Sequence, residues 1–446
     1  MDQLELEIEE WRAFVEQSPA VDGRDVEELE DHLRAQIADL TAIGLAPDEA
    51  LLVAVKRMGT VDELSREFAR EHSGRLWKLH LTSEAKTELS SASGWLPALL
   101  FAIASALAVQ VARLAAGFPT EQASWLARNA SLLVLPFLAA YFAHRRRLTL
   151  RQSLVMAVPF VIAAVVINVY PFLEGGSTEL LVAAHLPVVL WFVVAYPYMS
   201  GVVRSHERRM DFVRFTGEWF IYYVLIALGG GVLLALTALI LDPTSVDSER
   251  VVDWVLPLGA AGAVIVAAWL VESKKQVIEN MAPVLTMLFT PLFAVMLVAA
   301  IVVYIVTGLG DAFDRDLLGV FDALLVVVLG LVLYGISARD PSGSPGWMDR
   351  IQLVAVVSAL ALDVMVLSAM IARIGDLGFT PNRTAALGLN VLLLVSLART
   401  AWLSIRFLTG HSTVHRLERW QTTYLPVFGV WAAAVVVVLP PLFSFS

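Results

Sequence analysis

Residues 282–307 read APVLTMLFTPLFAVMLVAAIVVYIVT, a run without one charged side chain. As a helix it would be about 39 Å long at 1.5 Å per residue, more than the roughly 30 Å of hydrocarbon in a bilayer. Ten further stretches are also strongly apolar, eight of them with a single charged side chain, at 94–117, 125–143, 153–172, 179–203, 217–241, 252–271, 317–338, 351–372, 384–405 and 424–443. Of the 446 residues, 58% are hydrophobic and 17% charged. Ordinary globular chains are about 45–50% apolar and about a quarter charged. The apolar excess is explained if the surface faces lipid. The sequence therefore predicts an all-α polytopic membrane protein of about eleven transmembrane helices.

The loops give a direction. Lys and Arg concentrate on the cytoplasmic side of membrane proteins. Here Arg145, Arg146, Arg147 and Arg151 follow the second span, and Arg204, Arg208, Arg209 and Arg214 follow the fourth. Lys274 and Lys275 follow the sixth, and Arg406, Arg416 and Arg419 the tenth. The odd loops carry Glu121, Glu174, Asp242, Asp247, Glu249, Asp311, Asp314 and Asp316. The alternation predicts a multi-pass protein of the plasma membrane with its N-terminus in the cytoplasm. Met1 to Glu10 are acidic where a signal peptide is basic, so the first span is expected to serve as the insertion signal.

The N-terminal segment is different in kind. Residues 1–92 hold 21 acidic and 10 basic side chains, a net of −11, while the rest of the chain is near neutral at +1. Such a segment should avoid nucleic acid and anionic membrane surfaces, and seek basic or apolar protein surfaces. Leu4, Ile8, Trp11 and Val15 recur at helical spacing, as do Val26, Leu29, Leu33, Ile37 and Leu40. Gly44 and Gly59 suit helix ends, Pro47 a helix start, and Thr60 with Glu63 a capping box. Residues 1–72 thus predict a small cytoplasmic bundle of four amphipathic helices, 73–93 a juxtamembrane linker, and 94–446 the membrane bundle.

The run Glu28-Leu29-Glu30-Asp31-His32-Leu33-Arg34, followed by Gly44, Asp48-Glu49-Ala50, Met58-Gly59 and Leu64, resembles the HTH-associated alpha-helical signalling domain, also called a permease prefix domain. The resemblance covers about residues 5–70. Ser18-Pro19 and Asp22-Gly23 stand where that family often has a Leu-Pro turn. It implies a helical unit ahead of transmembrane segments and a link to PadR-like winged-helix regulators. Leu29, His32, Leu33 and Val55 are the candidate partner-binding residues. His32 is otherwise read as a core or helix-surface histidine.

The ninth loop, Arg373-Ile374-Gly375-Asp376-Leu377-Gly378-Phe379-Thr380-Pro381-Asn382-Arg383, breaks the charge rule. One reading is a structured turn in which Asp376 pairs with an arginine, Gly378 makes the bend and Thr380 caps the next helix. The other is an anion site in which Arg373, Arg383 and the free N–H groups of a helix start hold a carboxylate or phosphate. The Gly-Phe-Thr-Pro-Asn-Arg core resembles the multi-pass family designated domain of unknown function 4153, which implies membership and no activity.

Ionisable groups within the hydrocarbon are costly and usually face the bundle interior. Asp363 lies mid-span and is the strongest such candidate, with Arg399 or another base as a partner. Asp322 and Glu218 lie nearer span ends, where hydration could accommodate them. Asn168 and Asn390 could hydrogen-bond between helices. Gly229-Gly230-Gly231 and Pro257 are expected to break their helices. The ligand- or ion-responsive set is Asp363, Arg373, Asp376, Thr380, Arg383 and Arg399.

Catalytic signatures are missing from the sequence. It has no Walker-type phosphate loop, His-Glu-x-x-His motif, nucleophile elbow or cysteine. His411 and His415 are four apart, with no third ligand type near in sequence. The sequence therefore predicts no enzyme, cofactor or metal, with the lipid bilayer and a cytoplasmic winged-helix transcription regulator as partners and no direct nucleic-acid binding. Two functions fit. One is a membrane sensor that relays its state through the N-terminal unit. The other is a permease, or permease-like subunit, for an unidentified substrate that could be anionic.

Overall fold

The structure is a computed structural model and describes residues 8, 12, 23–42, 45–46, 49–51, 53–54, 95–117, 123–242, 247–273, 281–307, 315–337, 339 and 345–446. The chain divides into two units, 1–93 and 94–446. The described residues form helices and no strand.

In the first unit, α1 (Gly23–Ala42) supplies Leu33, Ile37 and Leu40 to a core with Ile8, Ala50, Leu51 and Ala54. That spacing puts the three residues on one helix face, which explains why they are buried together. Asp31 and His32 point outward, and His32 shares a hydrogen bond with Gln36 at 3.1 Å. Leu33 is fully buried in this core. The side chains of Leu29 and Val55 lie outside the described residues. So do most of the expected helices over 4–15 and 60–68, the Gly44 and Gly59 ends, the 73–93 linker, and Glu121, Lys274, Lys275, Asp311 and Asp314.

The second unit comprises α2 (Trp95–Ala115), α3 (Ala123–Arg145), α4 (Leu150–Val169), α5 (Ser177–Tyr198), α6 (His206–Leu241) and α7 (Ser248–Ser273). It continues with α8 (Met281–Thr307), α9 (Arg315–Ser337), α10 (Trp347–Leu377), α11 (Pro381–Leu408), α12 (Val414–Val437) and the short α13 (Leu439–Leu442). Among the described residues eleven helices, α2 to α12, are long and apolar enough to cross a membrane. This is an all-α polytopic membrane protein. Large apolar side chains such as Val295, Leu239 and Val306 stand on its surface, as a lipid-facing protein requires.

Helix ends differ from the hydropathic spans for a physical reason. Hydropathy marks the lipid-bound part, whereas caps mark where helices begin. Ser205 accepts from the Arg208 N–H at 3.4 Å, so α6 starts at His206 and carries Arg208, Arg209 and Arg214 as helical residues. Likewise α12 begins at Val414. Neither Gly229-Gly230-Gly231 nor Pro257 breaks its helix; α6 and α7 run through both. Within a bilayer a broken helix would leave backbone groups without hydrogen bonds, which favours continuity.

Contacts between helix ends follow the expected alternation. At the arginine-rich face Arg146 donates to Glu272 at 2.9 Å, Arg214 to the Ser337 carbonyl at 2.6 Å, and Arg209 to the Thr422 carbonyl at 3.0 Å. Arg339 pairs with Asp349 at the same face. At the opposite face Arg128 meets Glu179 at 2.6 Å, and the Tyr170 hydroxyl donates to the Val437 carbonyl at 2.9 Å.

Two apolar cores lie between these faces. The first is built mainly from α3, α4, α5 and α7, around Leu138, Phe142, Leu186, Leu190 and Ile265. The second is built from α9, α10 and α11, around Leu325, Leu362, Leu393 and Leu397. The arginine-face half of α6 serves both, giving Phe212 and Phe215 to one and Met210 and Val213 to the other.

Close packing of α11 on α12 depends on a glycine. A Cβ at Gly388 would fall 1.9 Å from Cζ2 of Trp431, whereas one at Gly230 would meet nothing within 4 Å. Gly388→Ala is expected to destabilise the bundle by about 1–3 kcal/mol, the usual scale of overpacking. Gly230→Ala should show no steric loss. Thermal unfolding of the two variants in one detergent checks the contrast.

Candidate functional site

The turn between α10 and α11 is the structured element that its sequence suggests. Gly378 has φ +75°, in the left-handed region that glycine adopts without strain. Thr380 is the N-cap of α11, its hydroxyl accepting from the Arg383 N–H at 3.3 Å, with Pro381 in the first turn. Arg383 folds back so that one Nη1 donates to the carbonyls of Leu377 at 3.1 Å and Gly378 at 2.8 Å. These carbonyls end α10 and would otherwise lack donors. Asp376 is exposed and forms no ion pair among the described residues, so the expected arginine partner of the turn is not Asp376. Backbone carbonyls take that role for Arg383.

Beneath this turn is a cavity of about 450 Å³ between α5, α9, α10 and α11. Arg373, Arg383 and Asn382 line it from the turn, His185 and Ser177 from α5, and Asp322 from α9. Its volume lies within the range of small-molecule sites, roughly 300–1,000 Å³. Sequence reasoning picked out the arginines because they break the charge rule. It missed His185 and Ser177, which only the packing of α5 against α11 brings near. His185 carried no signal of its own, and in the structure its Nδ1 lies 2.9 Å from the Leu181 carbonyl oxygen.

A buried polar cluster adjoins the cavity. The Asn390 side chain is fully buried and donates to Asp322 Oδ1 at 2.8 Å and to the Ala386 carbonyl at 2.9 Å. This is the interhelical hydrogen bond expected of Asn390. Asn168 makes its own to Asn129 at 2.9 Å. Asp363 is also fully buried, and neither of its oxygens has a hydrogen-bond partner among the described residues. The charged group within electrostatic reach of Asp363 is Asp322.

Arg399 does not join them. It is exposed and lies over the rings of Trp402 and Trp420, 4.2 Å and 5.8 Å from their centroids. Ser396, Leu397 and Thr400 turn inward on α11, leaving position 399 on the outer side. The expected Asp363–Arg399 pair is therefore not formed.

Glu218 is buried on the arginine-face half of α6. It lines a polar cavity of about 630 Å³ at the arginine-rich face, with Arg146, Arg208 and Asp211 among its other walls. His411 sits in the turn before α12, and His415 contacts Glu418 at 3.4 Å, so the two histidines do not share a helix. The buried pair Arg128–Glu179 escaped sequence reasoning, although Arg128, on the face away from the arginine-rich loops, needed a partner as much as Arg373 did.

Compared with family models, curated proteins and solved structures, the chain finds no match in any of the three.

Replacing Asn390 by Leu would remove the donor to Asp322 and leave that carboxylate short of a hydrogen bond beside an apolar core. The expected loss is about 1–3 kcal/mol, read as a lower midpoint in thermal or denaturant unfolding.

Proposed function

We propose that the chain is a non-enzymatic sensor of the plasma membrane whose cavity beneath the α10–α11 turn binds a small anionic solute, and whose N-terminal unit, in the cytoplasm, relays the bound state to a winged-helix regulator. The observation that carries this reading is the cavity itself, with Arg373, Arg383 and Asn382 on its wall beside the start of α11. Cationic side chains near a helix N-terminus favour a carboxylate or phosphate. A ligand shifts an equilibrium only by its difference in affinity for two states. A pocket shared by four helices supports such a difference, because small movements of those helices alter its shape.

Two further features favour signalling. Both α10 and α11 are continuous, with no proline beyond the first turn of α11, whereas transporter sites are typically formed by discontinuous helices. The outward residues of the N-terminal unit include Asp31, His32 and Glu49, an acidic surface suited to a basic partner. Its likeness to the HTH-associated alpha-helical signalling domain points the same way, as does the likeness of the ninth loop to the multi-pass family of unknown function.

The test is capture of a winged-helix regulator by the full-length chain from native membranes. Wild type should retain it, Asp31→Lys with Glu49→Lys should lose it, and Arg373→Gln should change the amount retained. Recovery of no such regulator by wild type would sink the reading. The fully buried Asp363 favours a second one, a permease that moves an anionic solute. Proteoliposome uptake that Asp363→Asn abolishes would support it, and unchanged uptake would count against it.

A further inference from the structure

Asp322 on α9, Asp363 on α10 and Asn390 on α11 are linked, Asn390 to Asp322 by a hydrogen bond and Asp363 to Asp322 by charge, and Leu362, Leu393 and Leu397 of the second core make the surroundings apolar. Three acceptor atoms in this cluster have no donor among the described residues: Oδ1 and Oδ2 of Asp363 and Oδ1 of Asn390. Asp363 and Asn390 are each fully buried. Burying an ionised carboxylate without compensation is prohibitively costly. Arg399 lies over its two tryptophans and Arg383 on the turn carbonyls, and Asp363 accepts no hydrogen bond from any described residue, Arg373 on the cavity wall included. The charged neighbour that Asp363 does have, Asp322, carries the same sign.

A proton on Asp363 would relieve only part of this. It turns one oxygen into a donor that can satisfy one acceptor, and one of the three stays unmatched. An oxygen-seeking cation meets carboxylate and amide oxygens at once and supplies the charge as well. Its valence follows from the same accounting. Asp322 lines the cavity, which gives its carboxylate access to solvent, whereas Asp363 is fully buried and is the charge left uncompensated. Calcium takes six to eight oxygens, and among the described residues no three His, Cys, Asp or Glu side chains gather. We propose that Asp322, Asn390 and Asp363 hold a monovalent metal cation, reached through the cavity wall that Asp322 forms. This site goes beyond the sensor reading and does not depend on it. If a solute anion occupies the cavity, the two ions of opposite sign attract, and each raises the affinity for the other by the same factor.

The experiment uses the purified full-length chain in lipid nanodiscs, with Na⁺ as the probe. Thermal unfolding is followed at constant pH and ionic strength while NaCl replaces choline chloride. The midpoint should rise with Na⁺ and saturate, and Asp363→Asn and Asn390→Ala should flatten the response. Asp363→Asn removes an uncompensated charge, so its midpoint in choline should not fall below that of wild type. Retention of radiolabelled Na⁺ by wild type, displaced by unlabelled Na⁺ and not by choline, gives a second measurement that needs no variant. A midpoint that follows pH alone, with no Na⁺ retained, would assign the charge to a proton and overturn the proposal. So would stabilisation by Ca²⁺ and not by Na⁺. No regulator is present in either assay, so their outcome is separate from that of the capture experiment.

Discussion

Hydrocarbon offers no hydrogen bonds, and the rest of this molecule follows from that. A backbone N–H or carbonyl in the bilayer must find its partner within the protein, and a helix does so within one segment. The chain meets this demand eleven times over in the described residues. It meets it even where the sequence invites an interruption, at Gly229-Gly230-Gly231 and at Pro257. Side chains obey the same constraint one level up. Trp219 donates its indole N–H to the Val264 carbonyl at 2.9 Å, and Thr216 and Thr400 return their hydroxyls to carbonyls of their own helices.

Charge is arranged by the same rule. Several arginines lie near helix ends with a carboxylate or a carbonyl within reach: Arg146 with Glu272, Arg128 with Glu179, Arg214 with Ser337. Such pairs fix which ends meet and so set the register of helices that lipid alone would not distinguish. The cluster of Asp322, Asn390 and Asp363 departs from this pattern, for it sits among leucines and its acceptors outnumber its donors. A carboxylate with both oxygens buried and without a donor is a costly departure, and such departures are where function is best sought.

The number and approximate position of the spans were legible because hydropathy is a sum over twenty or so residues, insensitive to any one of them. Ends were less legible, since the start of α6 rests on a single hydroxyl, that of Ser205. Within the candidate site, Asp363, Asn390, Arg373 and Arg383 could be picked out, because each is a polar residue in an apolar span or a base on the unexpected side. Their partners could not. Asn390 meets a residue 68 positions away, and whether Arg399 faces inward or outward depends on a fraction of a helical turn. His185 had no local oddity to mark it, and it joins the site only through the packing of α5.

The position of α6 has a mechanical consequence. Its arginine-face half gives alternate faces to the two cores, Phe212 and Phe215 to one, Met210 and Val213 to the other. The halves of the bundle therefore share a wall, and neither can repack along it without displacing the other. The same helix ends in Leu233, Leu236, Leu239 and Ile240, all exposed on the apolar surface. One end of the rod is clamped between two bodies and the other lies in a fluid. Any displacement of that exposed end would reach both cores together, because α6 is the wall they share.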